Sequence, residues 1–179
     1  RGVEDVAAKQ VLKRVQARVM SLSSIHQALY SDARLDVVPV NELLAEIVSG
    51  VSDVGLGRSR KVTLKTDLEP IWLDPDKAVP LLLLATEAMT NATKYVGVPE
   101  NGTPEIHVSL QETGVGQIVF RATNTRGPET ETAFAENAEA DGSGLGARLI
   151  EAFASQLGGT VNVELTEDQY DLTVSFRAG

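Results

Sequence analysis

Hydrophobic and polar positions along this chain follow two different periods, and the change between them divides it. In the first thirty residues Leu12, Val15, Val19, Leu22, His26 and Leu29 recur at steps of three and four, a heptad-like stripe on one helix face. Lys9, Lys13, Arg14 and Arg18 lie off the stripe, and Lys13, Arg14 and Arg18 read as a solvated face. A single helix cannot bury such a stripe by itself. The stripe therefore predicts a partner helix, from an upstream segment or a second copy of the chain. Pro39 opens a second, shorter helix with Leu43, Leu44, Ile47, Val48 and Val51 on its apolar face. Gly55, Gly57, Arg58, Ser59 and Arg60 then read as a loop.

Beyond this point short segments of period two alternate with helical ones. Val62 to Thr66 and Ile71 to Leu73 read as strands. Asp74 and Pro75 are a helix start, cap and first turn, and the helix should reach about Tyr95. Pro80 predicts a local irregularity in it. Trp72 and the run Leu81 to Leu84 are expected in the core. Residues 97–104 form a loop, and Glu105 to Gln111 with Gln117 to Thr123 make a hairpin around Gly114 and Gly116. Residues 125–142 are polar and small and read as a long loop. Ser143 to Leu157 is a helix closed by Gly158 and Gly159, followed by a hairpin of Val161 to Leu165 and Tyr170 to Phe176. The order β-β-α-β-β-loop-α-β-β predicts an α+β sandwich, a mixed or antiparallel sheet with helices on one face. The expected division is a helical appendage over residues 1–38 and a main domain over 39–179.

Composition narrows the function classes. Hydrophobic residues make up 42% of the 179, enough for a real core. There is no cysteine, which excludes disulfides and thiolate metal sites. No apolar run reaches membrane-spanning length, and the N-terminus does not read as a signal peptide. The chain starts at Arg1 without a methionine, so it is expected to be a piece of something longer. With 25 acidic against 16 basic residues the net charge of -9 argues against a nucleic-acid partner. It does not argue against a nucleotide, because converging N–H groups and a metal can outweigh a distant surface field.

Two segments carry candidate chemistry. The first is Glu87-Ala88-Met89-Thr90-Asn91-Ala92-Thr93-Lys94-Tyr95, polar residues inside an apolar helix pattern. Glu87, Asn91 and Lys94 are four and three apart and share a helix face. Asn91 offers a neutral oxygen of the kind Mg²⁺ accepts when phosphates supply the charge. Glu87 can orient a metal-bound water or accept a proton, and Lys94 can meet phosphate oxygens. A solvated helix face would also use these residue types, but asparagine is a poor helix former and needs a reason there. The second segment is Asp141-Gly142-Ser143-Gly144-Leu145-Gly146. Its glycines let several N–H groups converge at the positive end of the following helix, and Ser143 adds a donor. A tight turn before a helix would read the same way. No strand leads directly into it, which weighs against a dinucleotide fingerprint.

Taken together, the two segments resemble the N box and the G2 box of the histidine-kinase ATPase domain. Gly144-Leu145-Gly146-Ala147-Arg148-Leu149-Ile150 with Gln156-Leu157-Gly158-Gly159 is similar to the HWE-type branch of sensor kinases. So is Ser24-Ile25-His26-Gln27-Ala28-Leu29-Tyr30, which resembles the second helix of that branch's dimerisation hairpin. The resemblance runs from about residue 5 to 177. It implies a Bergerat-type fold that binds ATP and Mg²⁺ between the long helix and a lid over residues 125–142. Asn91 would hold the metal, with Glu87 acting through water. Lys94 and Tyr95 would flank the phosphates, and Gly142, Ser143, Gly144, Leu145 and Gly146 would bind them. The implied chemistry is γ-phosphoryl transfer to a histidine and then to a response regulator. Implied with it are a homodimer through the N-terminal helices and a cytoplasmic location for this portion.

Two departures from that pattern matter. The family's G1 box carries an aspartate, followed by glycines, that accepts a hydrogen bond from the adenine amino group. Here Ile118-Val119-Phe120-Arg121-Ala122 leads into Thr123-Asn124-Thr125-Arg126-Gly127-Pro128, and Asn124 or Thr123 takes its place. An amide oxygen still accepts, without charge, at a cost of about 1–3 kcal/mol. Gly127 would line the same region, and Thr173 is a second expected adenine contact. The other departure is the phosphoacceptor. His26 reads as a packing residue of the stripe and His107 as a strand residue, so the acceptor is expected upstream of Arg1. Two alternatives stay open: a phosphotransferase or pseudokinase with a degenerate ATP site, and an anti-sigma-type serine kinase, against which the N-terminal stripe weighs.

Overall fold

A helix capped at both ends organises the fold. In the computed structural model, which describes residues 37–56, 61–128, 130 and 145–179, the helix Pro75–Tyr95 (α2) packs on its flanking helices and on the sheet. Asp74 is its N-cap: the backbone there is extended and the side-chain Oδ1 accepts the Lys77 N–H at 3.2 Å. Pro75 occupies the first turn, where its missing N–H costs nothing. The Val96 N–H donates to Ala92 O at the other end. The helix runs through Pro80 without a break, so the expected irregularity does not interrupt it. Ala78, Leu81, Leu82, Leu84, Ala85, Ala88, Met89 and Ala92 are buried, as expected for a helix covered on several sides. The Leu81 to Leu84 run is core as read, except that Leu83 is only half-buried.

Among the described residues α2 packs chiefly on the helix Val40–Leu56 (α1), the helix Leu145–Gln156 (α3) and the sheet. Gly55 was expected in a loop, but α1 continues through it to Leu56. The reason is a close approach: a Cβ on Gly55 would stand 2.5 Å from Thr93 Oγ1, so only glycine lets the two helices meet there. Gly57, Arg58, Ser59 and Arg60 lie outside the described residues, as do the heptad stripe, His26 and the basic residues beside it. The described elements all belong to one unit, Asp36–Gly179. No helix among the described residues is long and apolar enough to cross a membrane.

Among the described residues seven strands accompany these helices. Val38–Pro39 (β1) and Trp72–Leu73 (β3) form a two-stranded antiparallel ribbon. The main sheet holds Thr63–Leu68 (β2), Glu105–Gly114 (β4), Gln117–Thr125 (β5), Thr160–Leu165 (β6) and Gln169–Arg177 (β7), in the order β2-β4-β5-β7-β6. Of its described pairs β2 and β4 run parallel and the others antiparallel, so the sheet is mixed, one of the two arrangements the sequence left open. Both expected hairpins form, and each strand of the first runs a few residues longer than its alternation suggested. One face of the sheet carries the core. Ile118, Phe120 and Ala122 on β5 pair with Phe176, Val174 and Leu172 on β7, and all six are buried. Val108 and Leu110 on β4 extend that layer. Fully burying one such side chain stabilises the fold by about 1.5–3 kcal/mol.

Trp72 is a correction: it is 56% exposed. In the ribbon Leu73 lies opposite Val38, and those two take the core side. Trp72 lies opposite Pro39 and, by the alternation of a strand, turns outward. Gly158 adopts a positive φ after α3 and closes it, and Lys77 Nζ donates to Leu157 O at 2.6 Å in the same turn.

Candidate functional site

The first polar segment occupies the C-terminal half of α2, and the second ends in the first turn of α3. The two helices pack side by side. At their crossing, a Cβ on Gly146 would lie 3.4 Å from both amide atoms of Asn91 and 3.7 Å from Glu87 Oε2. The start of α3 therefore presents bare backbone to the two residues singled out on α2. Glu87 is buried and Asn91 half-buried. Leu145, the first residue of α3, is 52% exposed. Gly142, Ser143 and Gly144 lie outside the described residues.

Lys94 and Tyr95 stand one turn further along α2, both half-buried. The Lys94 ammonium sits 4.9 Å from the centroid of the Tyr95 ring, a cation–π distance. Lys94 lies in the last turn of α2, where a cation is favoured.

Asn124 is on the core face of β5, in phase with Ile118, Phe120 and Ala122, and only 2% exposed. Its Nδ2 donates to Tyr95 O at 3.3 Å and to Thr125 O at 3.0 Å. Two carbonyls can only be served by the NH₂ end, so the network fixes the amide orientation. The end left over is Oδ1, an acceptor. Thr123, one residue out of phase, lies on the other face by alternation. Gly127 is buried; its N–H donates to Thr130 Oγ1 at 2.7 Å and its carbonyl accepts from Thr130 N–H at 2.8 Å, a closed local turn.

Thr173 is separated from this group. It pairs with Arg121 across β5 and β7, on the sheet face away from the core, and donates to Asp171 Oδ1 at 3.2 Å. Arg121 clamps the same carboxylate through Nε at 3.0 and 2.9 Å and through Nη2. That hydrogen bond with Asp171, opposed by partial burial and aided by the charges of Asp171 and Glu164, raises the Arg121 pKa further. The expectation of Thr173 as an adenine contact is therefore corrected. Leu172, Val174 and Phe176 already mark the core phase of β7 in the sequence, and Thr173 is out of it. The residue opposite Asn124 in that phase is Tyr170, which sequence reasoning passed over. Burial first, and the Asp171 charge second, push its phenol pKa up from the ordinary value.

Arg126 was also passed over, because an arginine in a polar loop reads as solvated. It is 8% exposed, its Nη1 donates to Thr166 O, and its buried Nε has no hydrogen-bond partner.

The donor set fits a metal-bound nucleotide better than a metal alone. Among the described residues no group of three histidine, cysteine or carboxylate side chains could hold an ion. One neutral amide and one buried carboxylate at a helix start need a ligand that brings its own oxygens and negative charge. Gly146 adds no side chain of its own where it meets Asn91 and Glu87, and Arg126 Nε is an unmet donor near the end of β5.

The family model described as "Histidine kinase" matches residues 1–54. No curated protein matches the chain. Among solved structures, the histidine kinase domain of the blue-light activated histidine kinase EL346 from Erythrobacter litoralis superposes with a TM-score of 0.72 at 15% identity, over 91% of this chain and 74% of that one. Against the EL346 kinase itself the TM-score is again 0.72, at 14% identity, over 94% of this chain and 50% of that one. Full-length ShkA in complex with AMPPNP matches with a TM-score of 0.58 at 15% identity, over 90% of this chain and 35% of its own length.

The fold is thus the Bergerat-type α+β sandwich of histidine-kinase catalytic domains. The resemblance to histidine kinases, which are enzymes, holds at both ends: by sequence over the first 54 residues and by fold over the described unit. This chain spans half of the EL346 kinase and about a third of ShkA.

Proposed function

We propose that this chain is the ATP-binding catalytic portion of a two-component sensor histidine kinase. The observation that carries the reading is the seat of Gly146 against Asn91 and Glu87. When bound, Mg-ATP supplies the γ-phosphoryl group and the metal neutralises phosphate charge. The protein's share is positioning and electrostatics. The Asn91 amide oxygen would hold the metal, and Glu87 would orient a water on it. Lys94 and Tyr95 would flank the phosphates. The N–H groups of the loop ending at Leu145 and Gly146 would meet them with the positive end of α3. Asn124 Oδ1 would accept from the base. The phosphoryl group would pass to a histidine in a longer protein and from there to a response regulator. In the same reading the molecule pairs through its N-terminal helices and this portion works in the cytoplasm. Support comes from the family match at the N-terminus and from the fold shared with ShkA, solved in complex with AMPPNP.

The test uses the longer protein with its upstream residues intact, supplied with Mg²⁺ and ATP labelled on the γ-phosphate. Acid-labile, base-stable label on a histidine is expected, and Asn91→Ala should abolish it. Label that persists in Asn91→Ala would contradict the metal assignment.

A second reading, a phosphotransferase with a degenerate ATP site, draws on Asn124 and Arg126 standing where the resembled family carries an aspartate and glycines. It predicts no nucleotide binding at millimolar ATP.

A further inference from the structure

Arg126 carries a buried donor, Nε, that no acceptor satisfies. Thr125 pairs with Gln169, and the Arg126 N–H donates to Asp168 O at 2.7 Å, so the β5–β7 ladder continues one step past the strand end. Side chains two apart on a strand share a face. Arg126 therefore lies on the Asn124 side of the sheet, roughly 7 Å along. Its guanidinium is anchored at Nη1 by Thr166 O, Nε is shielded and unpaired, and among the described residues it forms no ion pair. A buried cation with an unmet donor is costly to the ligand-free chain. A ligand that supplies an acceptor would relieve that cost.

Asn124 says which acceptor. A free asparagine amide reads an adenine edge with both ends, its oxygen taking the amino group and its NH₂ giving to a ring nitrogen. Here the NH₂ is occupied by Tyr95 O and Thr125 O. Only the acceptor half remains, so the donor half must come from another residue on the same face.

We propose that Arg126 is that residue: its guanidinium, turning on its anchor at Thr166, donates to a ring nitrogen of a bound adenine while Asn124 Oδ1 accepts from the amino group. The assignment rests on the nucleotide-binding reading above. It makes the pair a specificity determinant for a 6-amino purine. A 6-oxo purine sets an acceptor against Asn124 Oδ1 and gains nothing in exchange.

The test is calorimetric titration of the full 179-residue chain with Mg-ATP and Mg-ITP, together with melting of the ligand-free protein. The chain should prefer ATP to ITP. Arg126→Met, which keeps the length of the side chain without its donors, should weaken ATP about tenfold or more, the size of one charge-assisted hydrogen bond. Its ligand-free melting point should stay level or rise, because an unpaired buried charge is gone. Arg126→Lys keeps the charge without the planar fork and should also bind ATP more weakly. ATP affinity unchanged or tighter in Arg126→Met, or full affinity in Arg126→Lys, overturns the proposal. Equal affinity of the parent chain for ATP and ITP overturns it too. A parent chain that binds neither nucleotide refutes the nucleotide-binding reading itself.

Discussion

Asn124→Asp installs the residue that the resembled kinases carry, and in this chain it should do harm. The Asn124 NH₂ faces Tyr95 O at 3.3 Å and Thr125 O at 3.0 Å, in a position 2% exposed. A carboxylate there loses two donated hydrogen bonds and sets negative charge against two carbonyl dipoles. Leaving a buried group unmet costs about 1–3 kcal/mol. Two such losses with a desolvated charge bring the cost to roughly 3 kcal/mol or more near neutral pH. For a chain of this length that lowers the melting point by about 6–12 °C. The deficit should depend on pH. Burial and the facing carbonyls raise the folded-state pKa of the introduced carboxyl above its unfolded value of about 3.9. Stability is then lost as pH rises through the folded value and is recovered toward acid, where one protonated oxygen again donates. Urea unfolding of parent and variant at about pH 7 and about pH 5 reads both effects. A variant as stable as the parent, or one with the same deficit at both pH values, would refute the amide orientation argued above.

Other outcomes follow from close packing and burial. Gly55→Ala places a Cβ against Thr93 Oγ1 and Cβ at 2.5 and 2.7 Å, and should destabilise by about 1–3 kcal/mol in urea unfolding by forcing α1 off α2. Tyr170 has a raised pKa, so its ionisation disfavours the fold and stability falls as pH climbs past about 10. Tyr170→Phe should flatten that alkaline limb in a melting series while leaving the limb below pH about 9 in place.

Much of the architecture could be read from local signals. Asp74 and Pro75 fix the start of α2 through one side-chain oxygen and one absent N–H, both visible in the sequence. The hairpins β4–β5 and β6–β7 are adjacent in sequence, and alternation gives their core phase. The meeting of Asn91 with Gly146 was legible only through family resemblance, since nothing local links residues 55 apart in the chain. What escaped depends on pairing at a distance. The parallel contact of β2 with β4 and the β1–β3 ribbon have no local signature, and the ribbon decides that Leu73, not Trp72, goes inside. Gly55 reads as a breaker until Thr93 is found pressed against it. Thr173 was recoverable from the phase of Leu172 and Val174, because a one-residue step turns a side chain to the other face. Arg126 had no signal at all: its burial follows from Thr166 and Asp168, supplied by a turn forty residues later.

The central claim is that the start of α3 and Asn91 grip one Mg-nucleotide from opposite sides. Gly146→Ala addresses it most directly. The added methyl would make ordinary contact with Asn91, 3.4 Å away, so the ligand-free protein should melt level with the parent or slightly above, by about 0.5 kcal/mol of helix propensity. In the calorimeter the parent should bind Mg-ATP and Gly146→Ala should lose most of that affinity. A folded Gly146→Ala variant that binds Mg-ATP as tightly as the parent would contradict the account.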